Sequence, residues 1–174
     1  VATVGPRTGF KGPHVLAVAR RRGRWVGVHA PERPNGRLGW LHAAAVELGA
    51  VDLSVHVDRS ARTLTVRNGR RVLRRFTVAV GQPGHETPLG RFGVTDRLAM
   101  PPGTPYGCCA VALSGHQKSL PAGWTGGDRL AVHGTNAPDT VGAAASLGCL
   151  RAHDRDIRWL LRRIPLGAPV FIRA

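Results

Sequence analysis

The chain has 174 residues, of which 43% are hydrophobic, so it can form one domain, or a small domain followed by a medium one, with a real core. Its 25 Lys+Arg against 10 Asp+Glu give a formal net charge of +15, which favours contact with polyanions. The sequence has no zinc-finger spacing, RNA-binding aromatic signature or sustained basic helix, so a nucleic-acid partner is not expected. No apolar run approaches the roughly 18 residues that a membrane-spanning helix needs, so no transmembrane segment is expected.

The N-terminal part predicts a small β module at residues 1–49, because short apolar stretches alternate with Gly- and Pro-rich turns. We expect strands at 15–19, 25–28 and 39–41, turns at 20–24 and 31–37, and one helical turn at 43–48 that ends at Gly49. The five-residue basic turn, Arg20 to Arg24, is interpreted as a solvated hairpin tip rather than a binding patch.

A second unit is expected at residues 50–174, where apolar and polar residues alternate as they do in half-buried strands. The predicted strands are 53–57, 63–66, 72–80, 91–94, 108–113, 129–133 and 170–172. Asn68-Gly69 predicts a two-residue hairpin turn with positive φ at both positions. One helix is expected, with Asp154 as its cap and Pro165 as its stop, because apolar residues follow a helical spacing through Ile164.

The chain has three cysteines, an odd number without a framework of spaced pairs, so at least one free thiol is expected. Cys108 and Cys109 are adjacent in a predicted strand and are interpreted as buried packing residues on its two faces. Metal ligation by these residues is the minority interpretation, because no CxxC or HxxxH spacing accompanies them.

Cys149 is the candidate nucleophile. Cysteine chemistry needs a thiolate, and a nearby imidazole is the usual means of forming one at neutral pH. His133 ends a predicted strand, and Cys149 follows Gly148 sixteen residues later, so the two side chains can meet if the intervening loop folds back. One Cys and one His alone are weak evidence, and the residues around them carry the rest of the argument.

Several separated motifs resemble the L,D-transpeptidase family, in the right order and over residues 52–173. The family signature pairs His-Gly-Thr with Ser-His-Gly-Cys-(Ile/Leu)-(Arg/Asn). Residues 133–136 match its first half, and Ser146 and residues 148–151 match its second half at the same spacing. Thr87 to Phe92 resembles the family's Thr-Pro-x-Gly-x-Phe segment, Pro105-Tyr106-Gly107 its active-site border, and 165–170 its terminal strand. Residues 25–28, 33–36 and 39–41 resemble the SH3-like modules that precede bacterial cell-wall catalytic domains. Leu147 departs from the pattern, because the family usually has a second histidine there.

The resemblance implies a mainly β fold: a small SH3-like β module, then an L,D-transpeptidase-type β-sandwich with one short helix near the C-terminus. It implies that Cys149 attacks the bond before D-alanine in a peptidoglycan tetrapeptide stem, with His133 as general base. The thioester then passes to the side-chain amine of a neighbouring stem, which gives a 3→3 cross-link. Neither a cofactor nor a metal ion is expected.

The resemblance also suggests residues that support this chemistry. The backbone carbonyl of Gly134 is expected to orient the imidazole. The amides of Gly148, Cys149 and Leu150 are candidates for the oxyanion hole.

Three further side chains are candidate substrate contacts, each with a structural alternative. Arg151 is expected either to pair with a substrate carboxylate or to form a structural ion pair. Tyr106 either borders the cleft or packs against its wall. Ser146 either contacts substrate or stabilises the turn through hydroxyl-to-backbone bonds, and the second is favoured.

Other functions remain open at this stage. An L,D-carboxypeptidase would hydrolyse the same thioester, and a non-catalytic wall-binding module would use only the basic surface and the SH3-like segment. A zinc protein built on Cys108, Cys109, Cys149 and His133 is a third alternative. The family resemblance implies donor and acceptor peptidoglycan stems as partners, inhibition by carbapenems, and an exported protein in the cell wall or periplasm. No export signal is recognised near Val1, so the chain is either cytoplasmic or shown without that segment.

Overall fold

The computed structural model describes residues 4–174, so only the first three residues of the expected N-terminal module lie outside the described part. Within this range the chain forms thirteen strands and one α-helix. In chain order they are β1 (Ala17–Arg22), β2 (Trp25–His29), β3 (Gly39–His42), β4 (Leu53–Asp58), β5 (Thr63–Asn68), β6 (Arg71–Thr77), β7 (Val80–Gly81), β8 (Gly90–Ala99), β9 (Cys109–His116), β10 (Arg129–His133), β11 (Ala144–Ser146), β12 (Leu150–Arg151), α1 (Asp154–Arg163) and β13 (Pro169–Arg173).

The N-terminal strands form a three-stranded antiparallel sheet, in the order β1-β2-β3, over a small cluster of Val26, Val28 and Ala30. The predicted basic turn is wrong in its extent. β1 continues through Arg22, because three of the five residues pair with β2, and the turn narrows to Gly23–Arg24. The arginines are exposed, as expected for a solvated hairpin. The predicted helical turn is a three-residue 3-10 turn, Ala43–Ala45. The SH3-like character of this sheet, and the boundary at residue 49, stay predictions.

The larger part of the molecule is built on one continuous, curled eight-stranded sheet in the order β12-β10-β9-β8-β13-β4-β5-β6. Neighbouring strands in this sheet are antiparallel, except for the parallel pairs β12–β10 and β13–β4. The separate two-stranded sheet of β11 and β7 is also parallel. A large apolar cluster fills its inner face and includes Leu64, Phe92, Leu113 and Leu130. The predicted mainly β fold with one helix is therefore confirmed. Its short strands β11 and β12 were not predicted, because two or three residues carry no periodic signal. The strand predicted at 72–80 is instead divided into β6 and β7, with Val78 and Ala79 between them.

The β5–β6 hairpin was predicted, but its turn lies one residue further along. Asn68 still pairs with Arg71, so the two loop residues are Gly69 and Arg70. Gly69 has φ of 53°, whereas Asn68 stays in the strand with ordinary backbone geometry. The ladder between β5 and β6 therefore extends to the pair Asn68–Arg71, one residue beyond the predicted turn position.

The helix α1 covers the sheet with Ile157 and Leu160 fully buried, and it ends before Pro165 as predicted. The prediction that Asp154 caps it is wrong. His153 is the capping position, and Asp154 is the first helical residue. Its carboxylate accepts a hydrogen bond from the Cys108 amide (3.2 Å) and pairs with Arg158 (3.6 Å). No helix in residues 4–174 has the length and apolarity to cross a bilayer.

The N-terminal sheet is anchored to the larger sheet through His116, the last residue of β9. Asn35 donates from its side-chain amide to the His116 carbonyl (2.7 Å) and accepts from its backbone N–H (2.9 Å). The Thr8 hydroxyl also donates to Asp96. Because these bonds join β8 and the end of β9 to two N-terminal loops, the N-terminal part lies close to the strands of the larger sheet.

Candidate active site

His133 is held rigidly at the end of β10, between β9 and β12, with only 4% of its surface exposed. Its Nδ1 lies 2.6 Å from the carbonyl oxygen of Gly134. A carbonyl only accepts, so Nδ1 carries the proton and Nε2 is left unprotonated. Burial lowers the pKa of His133 to about 4, aided by Arg151 and opposed by the Gly134 bond. The imidazole is therefore neutral at physiological pH and can accept a proton through Nε2.

Cys149 lies in the turn between β11 and β12. Gly148 precedes it with φ of 116°, and a side chain at this position would collide with the Gln117 amide, so only glycine fits. The thiol points toward β10, where its Sγ lies 3.7 Å from the Arg129 carbonyl oxygen. Burial raises the pKa of the Cys149 thiol, while the Ala131 amide and Arg151 act in the opposite direction. The resting thiol is therefore protonated.

Ser146 fixes the shape of this turn. Its hydroxyl donates to the Cys149 carbonyl (2.6 Å) and accepts from the Gly148 N–H (3.0 Å). The residue is buried, and both functions of its hydroxyl are used internally. The favoured turn-stabilising interpretation of Ser146 therefore agrees with the geometry, although the side chain also lines the cleft.

The same contacts correct the expected oxyanion donors. The Gly148 amide already bonds to Ser146, so it is not free for a substrate oxygen. Leu150 is buried and paired with Val132 in the parallel β12–β10 ladder, which uses its backbone groups. The Cys149 amide is the one of the three that neither the hydroxyl nor the ladder uses.

Two residues that sequence reasoning did not single out, Gln117 and Thr87, hydrogen-bond to backbone carbonyls of the turn that carries Cys149. The Gln117 side-chain amide donates to the carbonyls of Leu147 (3.1 Å), His85 (3.0 Å) and Glu86 (3.1 Å). The Thr87 hydroxyl donates to the Gly148 carbonyl (2.8 Å). Thr87 lies in the Thr-Pro-x-Gly-x-Phe segment, so the motif gave a signal for it. Gln117 has no local signal, because its role depends on three carbonyls distant in the sequence.

A cleft of about 320 Å³ opens over this site. His133, Cys149, Arg151, Tyr106 and Ser146 all line it, whereas Gly134, Gly148 and Leu150 do not. The Tyr106 ring meets the His133 ring edge-on, with centroids 5.0 Å apart. Arg151 forms no ion pair with any residue that the structure describes. The rest of the wall is mostly apolar and includes residues that the sequence did not indicate: Phe10, Leu98, Met100, Leu120 and Trp124.

The other two cysteines lie outside the cleft. Cys109 is 2% exposed in the core, and burial, reinforced by the Cys108 thiol, raises its pKa to about 12. Cys108 is half-buried against the start of α1, with its Sγ 3.6 Å from the Asp154 carbonyl oxygen. Within residues 4–174 no group of three or more His, Cys, Asp or Glu side chains is arranged to hold a metal ion. The zinc alternative is therefore not supported by this arrangement.

Comparisons with known proteins agree with this site. The sequence model of the YkuD family, the L,D-transpeptidase catalytic domain, matches residues 52–172. YkuD of Bacillus subtilis is 33% identical over 118 residues, which cover 68% of this chain and 64% of that protein. YqjB of the same organism is 30% identical over 128 residues, 70% of this chain and 71% of its own length. The match thus spans less than two thirds of YkuD.

Solved structures share the fold. An L,D-transpeptidase from Mycobacterium smegmatis superposes with a TM-score of 0.56 at 19% identity, over 86% of this chain and 67% of its own. L,D-transpeptidase 3 from Mycobacterium tuberculosis, solved with a faropenem-derived adduct, gives a TM-score of 0.53 at 20% identity. The superposition covers 71% of this chain and 60% of that one. The structural likeness shows the fold, and the sequence matches show the family. The chain belongs to the L,D-transpeptidase family, with its catalytic domain at residues 52–172.

Proposed function

We propose that this protein is a cysteine-dependent peptidoglycan L,D-transpeptidase that forms 3→3 cross-links and releases D-alanine. One observation carries the proposal: an imidazole whose free Nε2 is fixed by the Gly134 carbonyl lines the same cleft as the Cys149 thiol. A neutral base in the same cleft as a protonated thiol is the resting arrangement from which general-base activation of a nucleophile can start.

In the first half-reaction, Cys149 attacks the carbonyl that joins the diamino acid to D-alanine in the donor stem. The S–C bond forms while Nε2 of His133 takes the thiol proton, and the carbonyl electrons move to oxygen. Collapse of the tetrahedral intermediate breaks the C–N bond, and His133 returns the proton to the departing D-alanine amine. The products are a thioester on Cys149 and a neutral imidazole.

In the second half-reaction, the side-chain amine of an acceptor stem attacks the thioester carbonyl. His133 takes a proton from this amine, and collapse breaks the C–S bond. The sulfur regains the proton from His133, so that the enzyme returns to its resting state with a new amide bond formed. No cofactor or metal ion is needed to balance either step.

The Cys149 amide is our candidate for the main oxyanion donor, because the turn leaves it unused. Arg151 is proposed to bind a substrate carboxylate: its guanidinium has no ion-pair partner in the described chain, and its fork suits that ligand. Tyr106 is proposed to border the substrate while it packs on His133.

A role in the cell wall or periplasm, and therefore export, follows from this activity. We also propose that carbapenems acylate Cys149, because the β-lactam carbonyl is an electrophile of the same type. Related folds have been solved with imipenem and with a faropenem-derived adduct.

The test is intact mass spectrometry of the products after incubation with a disaccharide-tetrapeptide donor and an amine acceptor. We expect a cross-linked dimer that is lighter than two substrates by one D-alanine. A hydrolysed tripeptide without dimer would instead identify an L,D-carboxypeptidase. The absence of both products, with no D-alanine released, would contradict an enzymatic role and leave wall binding as the alternative.

A further inference from the structure

The charged side chains of the cleft are unevenly distributed. Asp128 is the single carboxylate among the residues that line it, in a chain with only 10 Asp+Glu against 25 Lys+Arg. Its side chain is 53% exposed, so it is reachable from the cleft. The cationic side chains of the lining are Arg129 and Arg151. An exposed carboxylate in a cleft of a strongly basic protein is an unusual feature that the donor chemistry does not use.

The carboxylate is held in place without being enclosed. One oxygen of Asp128 lies 3.0 Å from Nδ1 of His116, and the other forms no ion pair with a described residue. The Asp128 carbonyl also accepts from the Gln117 backbone (2.7 Å), which fixes the main chain beside the catalytic turn. His116 is itself anchored, because its Nε2 lies 2.6 Å from the Pro31 carbonyl.

The neighbouring arginine does not neutralise this carboxylate by direct contact. The Arg129 guanidinium donates from Nε and Nη2 to the Leu113 carbonyl (3.0 Å and 2.6 Å) and from Nη2 to the Thr95 hydroxyl (2.8 Å), so these two nitrogens are directed into the sheet. Arg151 instead acts on the reacting pair: its charge adds to the burial that lowers the pKa of His133, and it opposes the burial that raises the pKa of Cys149. The cleft therefore has Arg151 near the reacting pair and one exposed carboxylate, Asp128, which acts on Arg129 through its charge without forming an ion pair with it.

We propose that Asp128 binds the ammonium group of the acceptor substrate, and so selects amines over water as the group that resolves the thioester. The inference rests on the proposed transpeptidase function and names the acceptor subsite of that same cleft. A lysine-type amine has a pKa near ~10.4 and arrives protonated at neutral pH, so it needs an anionic contact in an otherwise basic protein. Before attack the ammonium loses one proton to solvent, and the neutral amine then reacts as described above.

The test compares full-length wild type with Asp128→Asn, Asp128→Glu and the matched control Asp139→Asn. Asp139 is an exposed acid outside the cleft, so its variant changes the net charge equally. We expect Asp128→Asn to raise the KM for a diamino-acid acceptor about twofold to fivefold, the size of one partly exposed ion pair. Asp128→Glu should restore most of the loss, and Asp139→Asn should behave as wild type. The difference should shrink at high salt.

Two further readouts separate binding from a structural role. The rate of Cys149 acylation by a carbapenem should be unchanged in Asp128→Asn, because that step involves no acceptor. Release of the thioester by hydroxylamine, which is uncharged at neutral pH, should also be unchanged. An unchanged acceptor KM, or an equal loss with hydroxylamine, would overturn the inference while leaving the transpeptidase proposal intact. If wild type is acylated but transfers to no amine, the transpeptidase proposal itself fails, and this inference fails with it.

Discussion

Cys109 and Cys149 show how a pKa shift in the same direction accompanies different chemistry in two regions of one molecule. Burial raises the pKa of both thiols, to about 12 for Cys109. Cys109 faces the apolar core under α1, where the neighbouring Cys108 thiol raises its pKa further. Cys149 faces a cleft, where the Ala131 amide and Arg151 oppose the effect of burial and His133 lines the same space. Desolvation alone does not distinguish a nucleophile from a packing residue; access and a proton acceptor do.

The largest expected effect comes from removing the reactive sulfur. Cys149→Ala should lower transfer and hydrolysis by roughly 10⁴-fold or more, because no thioester can form. Product analysis by mass spectrometry and unfolding by urea would be measured together. Cys109→Ala is the matched control and should retain activity. Substantial turnover by a Cys149→Ala preparation free of wild type would disprove the cysteine mechanism.

Thiol labelling should separate the same two residues. With a pKa of about 12, Cys109 has a thiolate fraction near pH 8 that is on the order of 10³-fold smaller than that of an unperturbed cysteine. Burial also keeps the reagent away from its sulfur. In native protein, Cys149 should therefore be modified first and Cys109 last. Peptide mapping of the labelled chain over time would show the order. Faster modification of Cys108 or Cys109 would reverse the assignment.

Removal of the base should have a smaller effect that depends on pH. His133→Ala should slow carbapenem acylation of Cys149 by roughly 10²-fold or more at neutral pH, the usual contribution of a general base. The deficit should shrink about tenfold per pH unit as solvent deprotonates the thiol, up to the raised pKa of Cys149. A deficit of constant size across pH would indicate lost packing, and no deficit would mean that another group is the base.

The cost of keeping His133 neutral should appear as acid sensitivity. The folded pKa of about 4 lies below the ordinary value of 6.5, so between these values the unfolded chain binds a proton that the folded protein does not. The contribution of His133 to the free energy of unfolding is fully present above pH 6.5. It is lost as the pH falls toward 4, by about 3 kcal/mol in total. Urea unfolding from pH 7.5 to 4 should show a shallower pH dependence in His133→Ala. The same pH dependence in both proteins would contradict the burial-driven shift.

Local sequence determined much of the fold. Alternating residues predicted β4 and β5, and the apolar spacing through Ile164 predicted α1, because strand and helix periods are set by neighbours along the chain. The signature around His133 and Cys149 was enough to identify the candidate nucleophile and base, since its spacing and its glycine are local features. The cap at His153 and the turn at Gly69–Arg70 were missed by one residue each. The Asp154 carboxylate bonds to the Cys108 amide instead of capping the helix, and the β5–β6 ladder has an irregularity between Val66 and Arg67 that shifts its register.

Tertiary structure decided the rest. The sequence alone does not show that Ser146 occupies the Gly148 amide, or that Gln117 joins Leu147 to His85 and Glu86, because these bonds form only after remote segments meet. It also does not show that Asp128 is the carboxylate of the cleft. Residue types and spacing fix what chemistry is possible, whereas burial, direction and exposure depend on the packing of strands far apart in the chain.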